Sequence, residues 1–131
     1  MSLAVTLKQY TLDAIFGRQT YTSVPNSLWF GLLTPDDAEL VDGGYVRVEV
    51  INNVSNFPAA TFSGTNGIKT CAASITFPVA TVDWALVSQL AVYAGSSGGT
   101  PLLVLSLLAE TTIKAGGQLV IAADSIQITQ P

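Results

Sequence analysis

Apolar and polar positions recur along this chain with two different periods. Between residues 3 and 16, Leu3, Leu7, Tyr10 and Ala14 fall on one helical face. Ser2 is available as an N-cap and Gly17 as the residue past the helix end. Leu12, Ile15 and Phe16 widen the stripe, so the predicted helix is apolar on two sides. Beyond Gly17 the period falls to two. Residues 27–34 form a short apolar run closed by Pro35, Asp36 and Asp37. Residues 45–51 alternate, with Val46, Val48 and Val50 predicted on one face and Tyr45, Arg47 and Glu49 on the other. A short segment lies around 57–62. Residues 69–77 predict a strand with Ile75 and Phe77 on one face, stopped by Pro78. Residues 85–94 and 102–108 are apolar on both faces, which predicts strands covered on both sides. Residues 118–122 and 125–130 close the chain, the last with Ile126 and Ile128 against Gln127 and Thr129.

Gly, Pro and Asn clusters separate these segments, notably at 42–44, 63–67, 95–99 and 114–117. One helix followed by short strands at close spacing predicts a mainly β protein. The expected architecture is a single antiparallel β-sandwich or barrel with a short N-terminal helix or arm, one domain over residues 1–131. No interval offers a crossover helix, which speaks against a parallel βαβ sheet.

Composition narrows the function. The 131 residues carry five Lys plus Arg and nine Asp plus Glu, 11% charged, where a typical soluble domain has roughly 25%. The net charge is −4, and the five cations are scattered, so nucleic acid is not an expected partner. The mean hydropathy is +0.48. Yet the longest strongly apolar stretch, 101–109, is half of the roughly 20 residues a spanning helix needs, so no membrane partner is expected. The chain has no His and one Cys. Triads, Cys–His dyads, His-ligated metals and intrachain disulfides are thereby excluded. Polarity comes instead from 11 Ser and 14 Thr. Hydroxyls cost less to desolvate than charges, which suits a surface that neighbours will cover.

No chemical site emerges. Asp36, Asp37, Glu39 and Asp42 could hold Ca²⁺, but their spacing lacks the loop pattern of a calcium site, and a solvated loop explains them. Asp83 and Trp84 could grip a sugar, against the plainer reading of a turn Asp beside a core Trp. Cys71, between small residues, reads as inert core. No catalytic residue, cofactor or metal is expected. The candidate interface residues are Leu3, Leu7 and Tyr10 on the helix, with Trp29 and Tyr45 on the strands.

Several segments together resemble a known family. They are Leu12-Asp13-Ala14-Ile15-Phe16-Gly17, then Leu28-Trp29-Phe30-Gly31-Leu32-Leu33-Thr34, then Gly43-Gly44-Tyr45-Val46-Arg47-Val48. The most specific is Ile75-Thr76-Phe77-Pro78-Val79-Ala80-Thr81-Val82-Asp83-Trp84. They are similar to small virion proteins of tailed bacteriophages, commonly labelled phage tail fibre proteins. The chain departs from the usual pattern at Ala85, at Ala94-Gly95 and at Gly117, in turn details. The resemblance implies a non-enzymatic virion subunit that docks on other phage structural proteins, major capsid or tail. In size and style the chain is also similar to capsid decoration, or cement, proteins, which implies a homo-oligomer, a trimer. The alternative is a receptor-binding module for host cell-surface glycans.

Overall fold

The computed structural model describes residues 25–130 together with Leu12 and residues 15–17. The helix expected over 3–16 therefore lies outside the described residues, except that Leu12 and Ile15 are helical and Phe16 N–H donates to Leu12 O at 2.7 Å. Leu12, Ile15 and Phe16 are exposed.

The described residues form nine strands, and every strand pair is antiparallel. The largest sheet uses β1 (Ser27–Leu33), β2 (Val48–Ile51), β6 (Val87–Tyr93) and β7 (Leu103–Thr111), in the order β2-β1-β6-β7. A second contains β3 (Thr61–Ser63), β4 (Asn66–Cys71) and β9 (Ile126–Gln130), in the order β3-β4-β9. A third pairs β5 (Ile75–Thr76) with β8 (Val120–Ile121). The mainly β, antiparallel architecture read from the periodicity is what the chain adopts.

Register explains the core. Phe30 lies opposite Val48 on one side and Val92 on the other, and Leu32 lies opposite Leu90. Leu90 and Val92 in turn face Leu105 and Leu103. Side chains alternate between faces along a strand, so these pairings put all of them on one face. They join Cys71 and Ile126 of the second sheet and Ile75 of the third, with Phe77, Trp84 and Ile113, in one buried cluster. The three sheets thus share a core in a sandwich-like arrangement. The opposite face of the large sheet carries a smaller cluster of Leu33, Ala91 and Tyr93, with Trp29 and Val104 half-buried beside it.

The doubly apolar β6 is central, between β1 and β7. The equally apolar β7 is an edge strand. Its ladder runs from Leu103 to Ser106 and then jumps, so that Gln89 faces Ser106 while Val87 faces Thr111. The excess residues form a bulge, and Leu108 is fully exposed on it.

The single strand expected over 69–77 is two strands in two sheets. β4 ends at Cys71 because Ala72 N–H donates to Asn56 O at 2.7 Å, leaving the ladder for a loop carbonyl. Ile75 and Phe77 are both fully buried, as their alternation predicts.

Candidate functional site

The most polar buried feature is built where the β1–β2 connection meets the β6–β7 hairpin. Glu39 follows the turn that leaves β1, and a bridge to Leu33 holds it beside that strand. Arg47 directly precedes β2. Its side chain is 3% exposed, and each of its three nitrogens has an acceptor. Nε and Nη2 donate to the two Glu39 carboxylate oxygens at 2.6 and 3.0 Å. Nη1 donates to Gly95 O at 2.8 Å and Nη2 to Gly98 O at 3.0 Å. The guanidinium also lies 3.4 Å from the centre of the Tyr93 ring, a cation–π contact. Tyr45 completes the cluster: its hydroxyl donates to Glu39 at 2.9 Å and accepts from Leu32 N–H at 3.0 Å.

Burial alone would lower the Arg47 pKa, but the hydrogen bonds and charge of Glu39 more than offset it and raise it. Burial, with a further push from Glu39, raises both Tyr45 and Tyr93 above the usual phenol range. Arg47 is therefore held as a cation, and the two phenols stay neutral. All the polar atoms named face one another. The cluster works as a clamp that ties two loops together.

The clamp explains a departure from the alternation expected over 45–51. Arg47 is buried and Val46 is exposed, the reverse of a sheet with its valines inward. Regular pairing begins only at Val48. The inward pull of Glu39 on Arg47 outweighs the burial of one valine.

A second knot fixes the neighbouring loops. Gly43 O accepts from Trp84 Nε1 at 2.8 Å and from Thr81 N–H at 3.1 Å. One carboxylate oxygen of Asp42 accepts from Ala85 N–H at 2.7 Å. Asp83 accepts from Ala115 N–H at 2.9 Å and pairs with Lys114 at 3.3 Å. The Ala115 N–H and the Lys114 charge hold the Asp83 carboxyl below its ordinary pKa.

The five candidate interface residues separate. Leu3, Leu7 and Tyr10 lie outside the described residues. Trp29 is half-buried on the outer face of the large sheet. Tyr45 is half-buried, stacked on Phe77 with ring centroids 6.3 Å apart and edge-on to Trp84 at 6.0 Å. Its hydroxyl reaches over Gly31 toward Tyr93, the cross-strand partner of Trp29. Trp84 is 2% exposed, so it offers no open face for a sugar beside Asp83. Of the four loop acids, Glu39 serves the clamp and Asp42 serves the second knot, while Asp36 and Asp37 stay exposed at the turn. Among the described residues, no three His, Cys, Asp or Glu side chains gather to hold a metal ion.

Sequence reasoning missed Glu39 and Arg47 as partners. It placed the first in an acidic loop and the second among scattered cations. The available signal was an Arg standing among valines that read as inward-facing, which calls for an acid somewhere to meet it.

No curated protein matches the chain. The model of one family, described as podophage GP4 fiber I protein gp80, matches residues 2–129, which takes in every strand but the last residue of β9. With a match across nearly its whole length, and motifs made of turn, core and clamp residues, the chain belongs to the podophage GP4 fiber I protein gp80 family, a family of phage fibre structural proteins.

Proposed function

We propose that the chain is a non-enzymatic, self-associating subunit of the podophage tail fibre apparatus, docking on other virion proteins through apolar surface. One observation carries this reading. The clamp spends its polar groups inside the fold, while large apolar side chains stand in water: Val41 at 91%, Val46 at 59% and Val79 at 51% exposure. Such a surface gains free energy when a neighbour covers it. Low charge helps, since few ions need desolvating on assembly.

The expected assembly is a homotrimer, and the expected place is the tail. Immunogold labelling of intact particles with an antibody to this chain tests the position. Gold at the tail supports the proposal. Gold spread over the capsid shell replaces it with a decoration role, and absence from particles overturns it. Light scattering of the purified chain tests self-association, and a monomer at all concentrations overturns that part.

A further inference from the structure

Five of the exposed aliphatic residues belong to two loops that are bonded to each other. Val41 and Val46 flank Gly43 and Gly44. Val79, Val82 and Leu86 lie on the segment between β5 and β6 that runs past them. The contact is intimate: a Cβ on Gly43 would stand 3.3 Å from Val82 Cγ2, and one on Gly44 2.6 Å from Val79 O. Exposures run from 91% at Val41 through 59% at Val46, 51% at Val79 and 47% at Val82 to 37% at Leu86. Phe62 is exposed between the exposed Thr61 and Ser63, and single apolar residues of that kind are ordinary on a surface.

We propose that this two-loop patch is the surface through which copies of the chain meet around their symmetry axis. The inference rests on the self-association proposed above and names its site. Three arguments select a second copy as the occupant.

The first is area. Five aliphatic side chains at these exposures present apolar surface on the order of 400 Å², the size of the largest patch on a typical monomer. Each side of a standard interface buries roughly 800 Å², somewhat over half of it apolar. The patch supplies most of the apolar part that one such contact needs.

The second is self-complementarity. Residues nearest a rotation axis meet copies of themselves, whatever the order of the axis. Aliphatic groups tolerate that, and like charges do not. The two acids beside the patch are turned to internal work, Asp42 on Ala85 N–H and Asp83 on Ala115 N–H and Lys114. Asp83 is offset by Lys114, and Asp42 keeps its charge with one oxygen held by Ala85 N–H.

The third is preorganisation. The loops are already fixed by the Trp84–Gly43 and Thr81–Gly43 bonds. Ala80 N–H donates to Gly117 O at 2.9 Å, and Gly116 N–H donates to Ala80 O at 2.7 Å. Little conformational entropy remains to be lost on contact.

The test is sedimentation of the full chain with Val41→Asp, Val82→Asp and, as a control, Phe62→Asp. Wild type and Phe62→Asp are expected to associate alike, and the two patch variants at least 10-fold more weakly. Both patch positions are exposed, so their far-UV circular dichroism and urea midpoints are expected to match wild type. Oxidation of Val41→Cys is expected to give a cross-linked dimer on a non-reducing gel, and that of Phe62→Cys none. This arm keeps the question open should an Asp variant fail to fold. A wild-type oligomer that survives both patch substitutions, without a Val41→Cys cross-link, overturns this surface and leaves self-association standing. A wild-type monomer overturns both.

Discussion

Arg47 is a charge out of water with an acceptor for each nitrogen and a ring against its face. Its value to stability lies less in the attraction than in what its loss would leave behind. Removing one partner of a buried pair strands the other, at a cost of about 3–5 kcal/mol. Glu39 keeps some contact with water, its side chain being 29% exposed. Arg47→Met is therefore expected to lower unfolding free energy by about 3 kcal/mol, the low end of that range, read from urea denaturation. Tyr45 gives the clamp a pH dependence. Its phenol pKa is raised in the folded chain, chiefly by burial, so the folded state holds the proton more tightly than the unfolded state does. Its contribution is complete below the ordinary phenol value of about 10 and is lost as pH rises from there toward the raised folded value. Thermal melting is expected to stay level up to about pH 10 and then fall. Tyr45→Phe is expected to melt lower at neutral pH, because Leu32 N–H loses its acceptor, and to show a shallower alkaline decline.

At the level of elements, turns matter as much as strands. Gly44 has φ of +88°, and a Cβ there would stand 2.6 Å from Val79 O and 3.0 Å from Thr81 N, backbone atoms that cannot step aside. Gly116 has a similar φ of +84° but open space around it. Gly44→Ala is expected to cost about 3 kcal/mol, strain plus clash, and Gly116→Ala about 1 kcal/mol, strain alone. Parallel thermal melts of the two variants check the difference. The strands themselves were largely legible. β1, β6 and β9 follow from run length, double-sided apolarity and strict alternation, because local patterns reflect which face meets the core. The break at 72–74 was not legible, since it depends on Asn56 O, which only the fold brings to Ala72. The burial of Arg47 over Val46 escaped for the same reason. Alternation reads a strand against an average core and cannot see that Glu39 waits eight residues upstream in sequence but 2.6 Å away in space.

For the whole molecule, sparse charge takes on a definite form. Among the described residues, Glu39 is bonded in the clamp and Asp42 and Asp83 in the loop knot, besides Glu49, which accepts from Ser27 Oγ. These bonds tie loops whose tips would otherwise move freely, and they leave apolar residues as the groups facing outward. That division was only half visible beforehand. Composition indicated a surface suited to coverage, and the Gly-rich turns were readable as turns, but which loops touch is a property of the closed sandwich. A last consequence follows from Cys71, the chain's one thiol, 1% exposed beneath the strand pair β4 and β9. Burial raises its pKa, so it rests as an unreactive thiol until the structure opens. It is thus a clock already installed in the protein: the rate at which a thiol reagent consumes it counts the openings of the core, in the free subunit and in the assembled particle alike.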